Sequence, residues 1–143
     1  MAQHVLECVR KGERVDVQLA LDWGYNRQRP YTGTLPDEFP ALWNRIIPIN
    51  RSAKTAEVAR GVVVPVERPF FGIMGLAPDS GRISSGPPGV HGGNMDNKEL
   101  IPGSSLFLPV FVPGANFSVG DGHAVQGDGE VCLTALETCL KGR

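Results

Sequence analysis

Ser118-Val-Gly-Asp-Gly-His-Ala-Val-Gln-Gly-Asp-Gly-Glu-Val-Cys132 alternates short extendable pieces with Asp-Gly turns, and four glycines (Gly120, Gly122, Gly127, Gly129) punctuate it. Glycine lets a backbone turn sharply and lets other groups approach it closely. Most of the chain's glycines lie beyond residue 60, interleaved with prolines. This punctuation favours many short strands and turns over long helices. The same stretch gathers Asp121, His123, Gln126, Asp128 and Glu130. On extended backbone, residues two apart share a face. Asp121 is then expected beside His123, and Asp128 beside Glu130. Imidazole nitrogen and carboxylate oxygen are ligands for an ion such as Zn²⁺, and a remaining carboxylate can act as a base on water.

Bulk properties narrow the classes. A length of 143 residues suits one domain with a modest core. The net charge of −1 argues against nucleic acid as a partner, because phosphate binding needs a basic surface. No apolar run has the length of a signal peptide or of a membrane span, so a cytoplasmic location is expected. Cys8, Cys132 and Cys139 are odd in number and lack zinc-finger spacing, which reads as reduced, mostly buried thiols.

Outward from the opening stretch, Glu130–Leu140 reads as a final strand. Leu106-Phe-Leu-Pro-Val-Phe-Val112 reads as a strong strand, placed at an edge or bulge by Pro109. Val62–Val66, Phe70–Leu76 and Val15–Leu21 read as further strands, with a hairpin turn at Lys11-Gly-Glu13. Residues 79–93 form a long Gly/Pro/Ser-rich loop. Residues 22–50, rich in aromatics and prolines, read as a loop-rich insertion with a short helix near 41–45. A second constellation, His91-Gly-Gly-Asn-Met-Asp96, sets an imidazole, an amide and a carboxylate around a Gly-Gly hinge. Its N–H groups suit a carbonyl- or oxyanion-binding nest, although a plain glycine turn explains it equally well. Arg82 reads as a structural ion-pair partner and Cys132 as a buried thiol.

Four segments together carry a resemblance. Phe70-Phe-Gly-Ile-Met-Gly-Leu-Ala-Pro78, His91-Gly-Gly-Asn-Met-Asp-Asn-Lys-Glu-Leu100, Gly103-Ser-Ser-Leu-Phe-Leu-Pro-Val-Phe-Val-Pro-Gly-Ala115 and the 118–132 stretch resemble the acetamidase/formamidase family, closely from about Val62 onward. The resemblance implies a mainly β fold, a jelly-roll-like β-sandwich with little helix. Residues 1–143 would then be one incomplete domain of that type, with 22–50 as the insertion, since relatives are about twice as long.

The resemblance also implies hydrolysis of the carbon–nitrogen bond of a small linear amide by a homo-oligomeric enzyme with a divalent metal, expected to be zinc. Within the implied site, His123, Asp121 and Asp96 are candidate metal ligands. Glu130, Asp128 and Asn94 are candidate catalytic residues, and Gly92, Gly93 and Gln126 are candidates for holding substrate. The alternative is a shortened, non-catalytic member acting as a subunit or remnant.

Overall fold

A computed structural model describes residues 17–142. The expected turn at Lys11–Glu13 lies outside the described residues, as does Cys8. Among the described residues ten strands form in chain order: β1 (Val17–Leu19), β2 (Trp23–Gln28), β3 (Trp43–Asn50), β4 (Thr55–Ala59), β5 (Val62–Pro65), β6 (Phe70–Gly75), β7 (Gly92–Asn94), β8 (Ser118–Val125), β9 (Leu136–Glu137) and β10 (Leu140–Gly142). One 3₁₀ turn, Pro36–Glu38, is the sole helical element among the described residues. No helix there is long and apolar enough to cross a membrane. The chain is mainly β with little helix, as its glycine punctuation predicts.

Eight strands form one antiparallel sheet in the order β5-β4-β3-β2-β9-β8-β6-β7, and β1 pairs separately with β10. Alternation builds the core. Ile47 and Ile49 of β3 turn inward while Ile46 points to solvent, as a period of two requires. They pack with Ala56, Val66, Ala124 and Leu136.

Three sequence expectations need correction. Residues 22–50 contain no helix near 41–45 and are not mainly loop. They form the β2–β3 hairpin, paired from Trp23↔Pro48 to Gln28↔Trp43. Their aromatic and β-branched residues favour strand, and the prolines fall in the connection or at Pro48, near the end of β3. Leu106–Val112 forms no strand. Pro109 donates no ladder hydrogen bond, and Phe107 stays in solvent. The run Glu130–Leu140 is interrupted by a turn at 131–133, and within it only Leu136–Glu137 and Leu140 lie in strands.

Candidate functional site

Cross-strand register assembles the centre of the site. Tyr25 of β2 faces Glu137 of β9, Glu137 faces His123 of β8, and His123 faces Phe70 of β6. Directly opposed residues in antiparallel strands bring their side chains into contact range. The Phe70 ring meets the imidazole edge-on, with centroids 5.0 Å apart, and the His123 side chain is 1% exposed.

Around His123 Nε2 stand four carboxylates: Asp121 Oδ2 at 3.3 Å, Glu137 Oε2 at 3.4 Å, Glu130 Oε1 at 3.7 Å and Asp96 Oδ1 at 3.9 Å. None is aligned as a hydrogen-bond partner, and His123 Nε2, Asp96 Oδ1 and Glu130 Oε1 are buried polar atoms without one. Each carboxylate is delivered by a different device. Asp121 comes from β8 with a left-handed backbone, φ 61°. Asp96, at φ 44°, is carried by a turn in which Met95 and Asp96 both donate N–H bonds to Gly72 O. Left-handed backbone is costly for such residues, and it concentrates at functional sites. Glu137 is clamped through its other oxygen, which accepts from Ala135 N (2.9 Å) and Thr134 Oγ1 (3.4 Å). Glu130 arrives at the end of the glycine turn 127–129.

The electrostatics follow from this crowding. Burial works against a charged His123, but the attraction of Asp121, Glu137 and Glu130 outweighs it and lifts the imidazole to about 9. Burial, then repulsion from Asp96, raises Glu130 to about 7. Asp96 and Glu137 are also raised, first by burial. Carboxylates packed without enough countercharge hold their protons longer.

Two donor groups could hold a metal ion: Asp96, Asp121 and His123, and His123, Glu130 and Glu137, each with ligand atoms within 4.8 Å of one another. Nitrogen and oxygen donors with unsatisfied buried atoms suit a divalent cation such as Zn²⁺. Gly72 forms the floor. A Cβ there would lie 2.5 Å from Asp96 Oδ1 and 2.8 Å from Asp121 Oδ2, so only glycine leaves this cradle open.

Of the residues singled out in the sequence, the structure brings together Asp96, Asp121, His123, Gln126, Glu130 and Asn94. Asn94 Nδ2 donates to Asp96 Oδ2 (2.7 Å). Gln126 uses one end on His123 and the other on the Asp96 carbonyl. The structure does not bring in Asp128, whose side chain is 96% exposed and pairs with Lys98. The residues around Asp128 and Glu130 form a turn, so the two-residue periodicity of a strand fails there. Gly92 and Gly93 sit on edge strand β7, and the Gly92 N–H is already bonded to Gly89 O. His91, also buried, faces Ser84 O through Nε2 and lies apart from the carboxylates. Glu137 is the member that sequence reasoning passed over. Its signal was an acid inside an otherwise apolar strand-like run, a position where charge is rarely left unpaired.

A mainly β scaffold that closes four carboxylates around one buried imidazole defines a candidate metal or acid/base site. Comparison with known proteins identifies the family. The model of the Acetamidase/Formamidase family matches residues 82–139. A candidate formamidase of Schizosaccharomyces pombe is 40% identical over 112 residues, covering 69% of this chain and 26% of that protein. The acetamidase of Mycolicibacterium smegmatis is 48% identical over 59 residues, covering 41% of this chain and 14% of that one. Among solved structures, a candidate acetamidase/formamidase of Thermoanaerobacter tengcongensis superposes with a TM-score of 0.81 at 32% identity, over 90% of this chain and 42% of that one. An acetamidase of Bacillus halodurans gives 0.77 at 31% identity, over 92% of this chain and 46% of that one. The chain belongs to the acetamidase/formamidase family, and it spans less than half the length of these relatives.

Proposed function

We propose that the His123 cluster is the hydrolytic site of an amidase acting on small linear amides of the formamide or acetamide type. The observation that carries this reading is the buried His123 Nε2 facing four carboxylates at 3.3–3.9 Å. Asp96, Asp121 and His123 would hold a divalent cation, and zinc suits their mixed nitrogen and oxygen donors. When bound, such an ion supplies Lewis acidity toward a carbonyl oxygen or water.

The chain's own residues do the proton work. Glu130, lifted to about 7, is poised near neutrality to accept a proton and return it. It takes one from the water that attacks the amide carbon and passes it to the departing nitrogen. The carbon–nitrogen bond breaks, ammonia leaves, and the carboxylic acid formed gives its proton to the ammonia, so that a carboxylate and ammonium remain. Asn94, held against Asp96 by one N–H, keeps a second donor for the developing oxyanion.

Unpaired Cys132 and Cys139 support a reducing, cytoplasmic setting. Exposed apolar residues on edge strand β5, Val62 and Val63, support a homo-oligomer. A second reading is a subunit or remnant without its own catalysis.

Ammonia release from formamide and acetamide by the purified chain, with and without Zn²⁺, tests the choice. The amidase reading expects release that falls about 100-fold or more in Glu130→Gln, the scale of general-base loss. A cooperatively folded chain that releases nothing leaves the subunit reading.

A further inference from the structure

We infer that Gln126 is a positioning residue that fixes which nitrogen of His123 faces the carboxylates. The inference rests on the cation reading above only for the second of its two tests. Gln126 lies just past the end of β8, three residues after His123 and thirty after Asp96 in the chain. Its amide is read unambiguously by its partners. The group 2.7 Å from the Asp96 backbone carbonyl must be the donor, because a carbonyl oxygen only accepts, so it is Nε2. Oε1 therefore faces His123 Nδ1 at 2.8 Å. Oε1 has no proton to give, so His123 Nδ1 must carry one. The imidazole consequently presents Nε2 to Asp96, Asp121, Glu130 and Glu137.

A ring flip would forfeit the Gln126 bond and turn carbon toward the acids. The same amide ties the turn that carries Asp96 to the strand that carries His123. Gln126 thus sets both the orientation of the imidazole and the distance between two members of the cluster without touching the centre itself. Outer partners of this kind commonly change metal affinity 10- to 100-fold when removed. With both ends of its amide already engaged, the residue is better suited to this task than to holding substrate.

The test uses the ¹⁵N-labelled 143-residue chain and two variants. Gln126→Met keeps nearly the same volume and removes both bonds. Gln126→Glu keeps the acceptor for Nδ1 and loses the donor to Asp96. Without metal, long-range ¹H–¹⁵N spectra are expected to show a slowly exchanging His123 Nδ1 proton in the parent and in Gln126→Glu. It is lost in Gln126→Met. An unchanged resonance in Gln126→Met, or its loss in Gln126→Glu, overturns the proposal. If Gln126→Met does not fold, Gln126→Asn replaces it. That variant keeps both amide atoms but falls one methylene short, and persistence of the resonance in it counts equally against the role.

In the second test, Zn²⁺ affinity from chelator competition is expected to weaken about 10- to 100-fold in Gln126→Met. A parent that binds Zn²⁺ and a Gln126→Met variant that binds it equally well would overturn the role. A parent that takes up no Zn²⁺ but shows the Gln126-dependent proton would sink the cation reading and leave the positioning role standing.

Discussion

From β8, β9 and two turns beside them, charged side chains converge on a buried imidazole, whereas along the β2–β3 hairpin Trp23, Trp43 and Ile46 stand 41%, 50% and 56% exposed. In the first region three members are each held by two or more partners. Glu137 is clamped by Ala135 and Thr134, Asp96 by Asn94 and by the bonds of its turn to Gly72, and His123 by Gln126 and Phe70. In the second, the backbone ladder is complete from Trp23 to Gln28, yet the outward side chains meet little. Near the foot of the hairpin, Phe39, Trp43, Val131, Cys132 and the amides of Asn26 and Gln28 line an open, mostly apolar cavity of about 480 Å³. The contrast separates two kinds of order. The cluster is held by specific partners and is electrostatically tense. The hairpin is held by its backbone ladder and by the inward Ile47 and Ile49, and it leaves the apolar side chains of its other face to water.

Removing the hub should break the contrast most strongly. His123→Ala leaves four carboxylates without their one cationic side chain and opens a cavity beside Phe70. Breaking a buried charge arrangement from one side typically costs about 3 kcal/mol or more. The midpoint of urea denaturation is expected to fall accordingly, with Zn²⁺ uptake lost. An unchanged midpoint would show that the cluster contributes nothing to folding.

The tension should also appear as a pH dependence. Glu130 is raised from 4.5 to about 7, so its charged form is disfavoured in the folded chain. Stability then declines as pH climbs from 4.5 through about 7. His123 is raised from 6.5 to about 9, so its contribution is present in full below 6.5 and is lost as pH passes about 9. Both slopes have the same sign. In chelator, the Tm should drop by roughly 3 °C between pH 5 and pH 9, a change on the order of 1 kcal/mol for a chain of this size. A flat or rising Tm would contradict the crowding of the acids. In the hairpin, by comparison, Trp43→Ser should shift the midpoint of urea denaturation by the equivalent of less than about 1 kcal/mol.

The two regions also differ in how far the sequence discloses them. The cluster was largely legible because its chemistry is local: Asp121, His123, Gln126 and Glu130 fall within ten residues, and the glycines between them mark close approach. Asp96 was legible through its own motif. Glu137 was not, because it joins through the Tyr25↔Glu137↔His123 register, and pairing between distant strands leaves no periodic trace. The hairpin was misread for a related reason. Its prolines and aromatics resemble a loop composition, whereas the ladder between Trp23–Gln28 and Trp43–Asn50 is decided by which segment lies opposite. Leu106–Val112 shows the reverse error. Its apolar residues have strand propensity, but propensity forms a strand only where a partner edge is available, and no described strand pairs with it.

The smallest expected effect is the one that separates geometry from pattern most sharply. Spacing placed Asp128 beside Glu130, the resemblance implied a catalytic role for both, and both lie in the same Asp-Gly-Glu run. The folded turn sends them in opposite directions. Glu130 lies 13% exposed at His123, while Asp128 lies 96% exposed against Lys98. The Lys98 ammonium lowers the Asp128 carboxyl below its ordinary range, which makes it a poor base near neutrality. Exposed pairs of this kind rarely contribute measurably to stability. Asp128→Ala should therefore leave the melting temperature, Zn²⁺ affinity and any amide turnover unchanged within error, where Glu130→Gln does not. A loss of turnover or of metal in Asp128→Ala comparable to that in Glu130→Gln would mean that the 126–133 turn closes over the cluster in the working state, and that the strand-like spacing was the better guide.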